Sequence, residues 1–138
     1  MKKINALLLV VLLACALAMS GCAGSASPTT VHNSRNSLDW AGTYTGHIPS
    51  ASGMGIDVRL TLNRDGTYTL LYTYVERPEP NYSSAGNFIW DVAGSVITLD
   101  SNSGPMQYQV GENMLRQLDM EGEVITGDLA DMYILRKE

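Results

Sequence analysis

From Trp40 onward, apolar and polar residues alternate in short runs broken by turn residues. Trp40, Gly42, Tyr44, Gly46 and Ile48 share one parity, and Thr43, Thr45 and His47 the other. A period of two places the first set on one face of a half-buried strand. Two glycines on that inner face leave room or permit the sharp bend a barrel needs. Ile56, Val58, Leu60 and Leu62 then alternate with Asp57, Arg59 and Thr61, the clearest strand in the chain. Asn63-Arg64-Asp65-Gly66 carries turn chemistry, with Gly66 placed for a positive φ. Tyr68, Leu70, Tyr72 and Tyr74 continue the alternation, so Ile56 to Val75 reads as a hairpin.

The later pattern is weaker. Glu76 to Ala85 holds Pro78, Pro80, Asn81 and two serines and reads as a loop. Phe88 and Trp90 begin the next strand. Val96, Ile97 and Leu99 follow a turn at Ala93-Gly94-Ser95. Tyr108 and Val110 lie in a strand after turn residues Asp100 to Pro105. Met114 to Met120 reads as a strand that ends at the turn Asp119-Met120-Glu121-Gly122. Val124 and Ile125 form a short strand, and Met132 to Leu135 the last. Short strands separated by regular turns, with no long helical period, predict an all-β fold. The expected architecture is a small antiparallel meander of about eight strands, closed or nearly closed as a barrel. A barrel of this size is filled by side chains or holds one small ligand.

The N-terminal pattern differs. Lys2 and Lys3 precede an unbroken apolar run, Ala6 to Met19, of fourteen residues. That length suits a signal-peptide core better than a membrane span. Met19-Ser20-Gly21-Cys22 resembles a bacterial lipobox, in which the Cys22 thiol accepts diacylglycerol. Residues 1–21 are therefore expected to be a lipoprotein signal peptide. Residues 22–39, rich in Ser, Thr and Asn, are expected to be a lipidated Cys followed by a flexible tether. Residues 40–138 are the barrel domain. Ala23 after the Cys fits the sorting pattern of enteric bacteria for the outer membrane, facing the periplasm.

Composition narrows the picture. The net charge is −5; nine Lys/Arg less Lys2 and Lys3 leave seven against fourteen Asp/Glu, or −7. That balance argues against nucleic acid and against a polybasic membrane patch. The membrane partner is the N-terminal acyl group. The chain has two cysteines, and only Cys22 survives cleavage, so no intrachain disulfide forms. A mature part of ~115 residues can build one modest core.

Candidate chemistry is thin. His47 and Met54 flank the small-residue loop Pro49-Ser50-Ala51-Ser52-Gly53-Met54-Gly55 and could offer copper a nitrogen and a thioether. Alone they do not complete a ligand set, and the default reading is a polar strand residue beside a Met. Ser50 and Ser52 lie near His47 and Asp57, but no nucleophile elbow is present. Glu76/Glu79 and Asp119/Glu121/Glu123 read as solvated turn acids rather than a carboxylate pair. The aromatics Trp40, Tyr44, Tyr68, Tyr72, Tyr74, Phe88, Trp90 and Tyr108 mostly fall on inward parities and read as core. A cavity lined by Tyr68, Tyr72 and Trp90 would instead mark a ligand-binding barrel.

An ordered set of residues carries a family resemblance. It runs Trp40, Gly42, Gly46, Ile48-Pro49, Gly55-Ile56 and Asp65-Gly66-Thr67. It continues with Gly86 before Phe88 and Trp90, then Asn113-Met114-Leu115, Leu118-Asp119, Glu121-Gly122 and Tyr133-Leu135. Together these resemble the N-terminal domain of the NlpE lipoproteins, the copper-resistance family. The resemblance implies a lipocalin-like barrel on an outer-membrane anchor. It also implies a part in copper homeostasis or envelope-stress sensing through contact with an envelope protein. The family loop reads Pro-Cys-x-x-Cys-x-Gly-Ile, and here Ser50 and Gly53 stand at the two Cys positions. That removes the thiolate pair that selects Cu(I). The expectation is a non-enzymatic envelope lipoprotein without a dedicated cofactor. A binder of a small apolar ligand and a structural lipoprotein are the alternatives.

Overall fold

The alternating runs Gly42–Ile48 and Ile56–Leu62 become strands β1 and β2 in the computed structural model, which describes residues 31–51, 53–76, 82–102 and 106–138. Their register pairs Ile48 with Ile56 and Gly42 with Leu62. Strand β3 (Thr67–Tyr74) follows the Asn63–Gly66 turn, where Gly66 takes φ +85°. Then come β4 (Tyr82–Trp90), β5 (Val96–Leu99), β6 (Met106–Gly111), β7 (Met114–Gln117) and β8 (Ile134–Lys137). Each strand pairs antiparallel with its neighbour in sequence. β8 returns to β1 through Tyr44↔Lys137 and Thr45↔Arg136, and this closes an eight-strand barrel. The fold class expected from alternation is the fold observed.

Inward parity gives the core. Tyr44, Leu60, Leu70, Ile97, Tyr108, Leu115 and Leu135 are wholly buried, with Val58, Leu62, Tyr68, Phe88, Leu99 and Val110 close behind. Burying each such side chain stabilises the barrel by roughly 1.5–3 kcal/mol before entropy is counted. Gly46 is small for a reason. A Cβ there would stand 2.6 Å from a Leu135 methyl, so its absence lets β8 lie close against β1.

Several expectations need correction. Residues 82–85, expected as the end of a loop, belong to β4, whose first two thirds pair Tyr82↔Tyr72 through Asn87↔Thr67. Their inward positions carry only Ser84 and Gly86 beside Tyr82, so little apolar alternation marks them. Ser84 is opposite Leu70 and Gly86 opposite Tyr68 on β3, and the Ser84 and Tyr68 hydroxyls are hydrogen-bonded at 3.0 Å. Val124 and Ile125 do not form a strand; a single bridge joins Val124 to Leu118. The last strand does not begin at Met132. Ala130–Tyr133 is a 3-10 helix, and β8 starts at Ile134.

The expected tether also differs near the barrel. A short helix, α1 (Ser34–Ser37), carries a capping box in which Asn33 and Asn36 each bond the other's backbone N–H. Helix α1 is docked, because the Arg35 N–H donates to the Gly94 carbonyl at 2.9 Å and the Ser34 hydroxyl to the Val110 carbonyl at 2.7 Å. Residues 1–30, which hold the expected signal peptide and Cys22, lie outside the described residues.

Candidate functional site

The meander gives the barrel two unlike ends. At one, the helix end, α1 meets the β2–β3 and β4–β5 turns. At the other, the loop end, lie the connections β1–β2, β3–β4, β5–β6 and β7–β8. The expected functional loop, Pro49 to Gly55, is on the loop end.

The helix end is closed by aromatic packing. Trp40 stands edge-on to Phe88 and Trp90, with ring centroids 5.8 and 5.5 Å away. Its indole N–H donates to the Arg35 carbonyl at 3.0 Å, and the Tyr44 hydroxyl donates to the Trp40 carbonyl at 2.7 Å. Burial, with help from the Asp39 charge, pushes the Tyr44 phenol up to about 12, so it stays a donor. Asp39 ties this plug to β8 and the β2–β3 turn, through Lys137 at 3.1 Å and Arg64 at 2.8 Å. Trp90 is therefore at the opposite end from Tyr72, whose ring packs on Tyr82 with centroids 5.6 Å apart. Tyr68, Tyr72 and Trp90 do not line one shared cavity.

At the loop end, His47 is a cross-strand partner of Asp57 on β2. Its Nδ1 lies 2.8 Å from the Asp57 carboxylate and its Nε2 lies 3.0 Å from the Met54 carbonyl. Both partners only accept hydrogen bonds, so satisfying both requires an imidazolium. The Asp57 hydrogen bond, with the Met54 carbonyl adding to it against some desolvation, raises the His47 pKa above the usual imidazole value. Gly55 makes the clasp possible. It sits at φ +110°, and a Cβ there would fall 2.1 Å from His47 Nε2.

This arrangement decides what the loop residues do. His47 touches the Met54 backbone; the Met54 side chain is 69% exposed. Both ring nitrogens are engaged in the loop clasp. The Asp57–His47 pair looks like two parts of a triad, but the nitrogen that a serine would need is on a carbonyl. Ser52 and Glu79 lie outside the described residues. Among the described residues, no three His, Cys, Asp or Glu are placed to hold a metal ion. Asp119 serves its turn by accepting from the Glu121 and Glu123 N–H groups at 3.0 and 2.8 Å.

The sequence reading passed over a pocket beside this loop. It has a volume of about 270 Å³ and is lined by Ser50, Gly53, Met54, Gly55, Tyr74, Val75 and Glu76. The Val75 N–H donates to the Gly55 carbonyl at 3.2 Å and joins the two loops. The Glu76 carboxylate folds over Gly53, 3.4 Å from where a Cβ would stand. Glu76 was legible only as a loop acid, because its placement depends on the β3–β4 connection meeting the β1–β2 loop.

Inside the barrel, two polar atoms are buried without a partner among the described residues, the Tyr108 hydroxyl and Gln117 Oε1. They belong to cross-strand partners on β6 and β7, so both sit on the inner face. Burial, with Tyr72 adding to it, holds the Tyr108 phenol far above its ordinary range. The Tyr72 hydroxyl interacts with that of Tyr108 without a well-formed hydrogen bond and makes a long contact, 3.7 Å, with the Met106 sulfur.

An eight-strand antiparallel barrel with one aromatic-plugged end and one loop-bearing end defines the class of module. The NlpE N-terminal domain family matches residues 44–128, and the chain belongs to that family. A crystal structure of a protein from Shewanella oneidensis, described there as a lipoprotein, shares 46% identity and superposes with TM-score 0.71 over 77% of this chain and 95% of that one. The Cpx pathway activator NlpE from Escherichia coli shares 26% identity, with TM-score 0.51 over 63% of this chain and 46% of that one. No curated protein matches the chain.

Proposed function

We propose that this chain is a non-enzymatic bacterial envelope lipoprotein that works by protein contact at the loop end of its barrel. The family match over residues 44–128 carries the reading. The lipobox-like Met19–Cys22 supports an acyl anchor at Cys22, and Ala23 supports an outer-membrane position facing the periplasm. The Escherichia coli relative is described as activating the Cpx pathway, which supports a role in envelope-stress signalling. The loop end supplies exposed apolar side chains for contact: Met54, Tyr74, Val75, Met120, Val124, Leu129 and Met132. A copper role has less support, since Ser50 and Gly53 stand where thiolates would be and His47 is committed to Asp57 and Met54.

Two measurements test the halves of this reading. Overproducing the chain in a bacterium with an envelope-stress reporter should induce the reporter, and Met54→Asp with Val75→Asp should abolish induction. An unresponsive reporter overturns the stress role. Copper titration of the chain tests the other half. Tight one-to-one binding that Met54→Ala removes supports a metal-linked role, and no binding overturns it.

A further inference from the structure

The charge at the loop end says more about the partner than its apolar residues do. The β7–β8 connection, residues 118–133, carries Asp119, Glu121, Glu123, Asp128 and Asp131 and no Lys or Arg. The β1–β2 loop, which lies next to it around the rim, is uncharged. The β3–β4 side adds Glu76, which has no ion-pair or hydrogen-bond partner among the described residues. Most described cations are occupied or lie away from this rim; Arg116 near the end of β7 and the His47 imidazolium are on its side, and Arg77 follows Glu76 in sequence. Arg64 and Lys137 hold Asp39 at the helix end, and Arg59 pairs with Glu138 at 2.8 Å. The loop end is thus predominantly acidic, and such a field draws cations and repels anions.

The apolar side chains share that rim. Met120, at 65% exposed, lies between Asp119 and Glu121, and Leu129 between Asp128 and Ala130, close to Asp131. Large apolar side chains interleaved with carboxylates give this rim both apolar and acidic contact groups. Beside them is the pocket of about 270 Å³, whose lining includes Met54, Tyr74 and Glu76, the Glu76 carboxylate lying over Gly53. A tyrosine and a carboxylate with no partner among the described residues, lining one concavity, suit an ammonium group.

We infer that the loop end docks a basic, apolar segment of a partner protein, with one ammonium group of that segment seated between Tyr74 and Glu76. The apolar rim covers the aliphatic parts of the segment, and the carboxylates of residues 118–133 set its charge. A bilayer fits poorly, because anionic headgroups would meet the same carboxylates. A second copy fits poorly too, because the acidic rims would face each other. The inference rests on the contact reading above and adds the chemistry of the partner.

The test uses the full-length chain in nanodiscs of neutral lipid, with empty nanodiscs as the blank. The probe is a short peptide of alternating lysine and valine, and its counterpart has glutamate in place of lysine. The lysine peptide should bind saturably, one to one, and more weakly as salt is raised. Glu76→Gln should weaken it about fivefold, the scale of a partly exposed ion pair. Asp128→Asn with Asp131→Asn should weaken it further, and Val92→Ser at the helix end should leave it unchanged. Equal binding of the glutamate peptide, indifference to Glu76→Gln, or indifference to salt would overturn the inference. Uptake of the chain onto anionic vesicles, or its self-association through the same rim, would overturn it in favour of those occupants. A stress reporter that responds while the peptide fails to bind removes only the basic chemistry and leaves the contact reading standing.

Discussion

The two ends of this barrel are built by opposite rules. At the helix end, nearly every strong group has a partner: Trp40 holds Phe88, Trp90 and Arg35, Tyr44 holds the Trp40 carbonyl, and Lys137 and Arg64 hold Asp39. At the loop end, Glu76 has no partner among the described residues, Tyr108 and Gln117 bury polar atoms without one, and seven large apolar side chains face outward. A saturated end has little left to offer another molecule. An unsaturated end stores interaction free energy that a partner can release. The difference separates scaffold from working surface within one small fold.

The contrast can be broken most severely at the plug. Trp40→Ala should cost about 3 kcal/mol or more, because a packed aromatic and an indole hydrogen bond are lost together. Urea unfolding measures this directly. A loss below about 1 kcal/mol would mean that the helix end is not held by its plug.

The loop end has its own weak point, at Gly55. Gly55→Ala places a Cβ on the His47 ring and forces a strained φ, at a cost of about 1–3 kcal/mol. Most of that loss should appear locally, as faster amide exchange at residues 53–57 with little change at residues 88–99. Uniform loosening would show that the loop is part of the core.

Two buried tyrosines sharpen the comparison. Tyr44→Phe leaves the Trp40 carbonyl without its donor and should cost about 1 kcal/mol. Tyr108→Phe removes a hydroxyl that makes no well-formed hydrogen bond among the described residues, so it should be neutral or slightly stabilising. Equal losses in the two variants would show that Tyr108 is bonded after all.

The smallest effect is the most diagnostic, because the two ends should respond to pH with opposite sign. His47 at the loop end has a raised pKa. Its clasp is fully present below the ordinary imidazole value near 6.5 and is lost as pH rises through the folded value. The helix end depends on carboxylates held below their ordinary value of 3.8: Asp39 by Lys137, Asp65 by Thr67 and Asp91 by the Val96 N–H. Their contribution is present above that value and is lost as pH falls through the lowered one. Amide exchange followed across pH should show the loop end loosening in base and the helix end in acid. His47→Asn should abolish the first trend and leave the second.

How legible each end was follows from what its residues report locally. Strands β1 to β3 could be read outright, because Ile56, Val58, Leu60 and Leu62 alternate without interruption. The start of β4 could not, because the inward positions opposite Leu70 and Tyr68 are Ser84 and Gly86, whose smallness is a packing fact rather than a hydrophobic signal. The 3-10 helix at Ala130–Tyr133 was hidden for a similar reason, since its Met and Tyr also suit a strand. The clasp was within reach: once Ile48 pairs with Ile56, His47 must face Asp57. The pocket was not, because Tyr74 and Glu76 meet Met54 only after the barrel closes.

The claim that only the loop end is a working surface has a direct test in living cells. Large apolar side chains are exposed at both ends, Met54 and Leu129 at 69% and 53% on the loop end, Ile89 and Val92 at 70% and 108% on the helix end. A photo-crosslinking residue placed at each of these four positions samples both ends, with the helix-end positions at least as exposed as those at the loop end. The account predicts that positions 54 and 129 trap the same envelope protein and that positions 89 and 92 trap none. The same adduct from positions 89 and 92, with nothing from 54 and 129, would contradict it and make the plugged end the working surface.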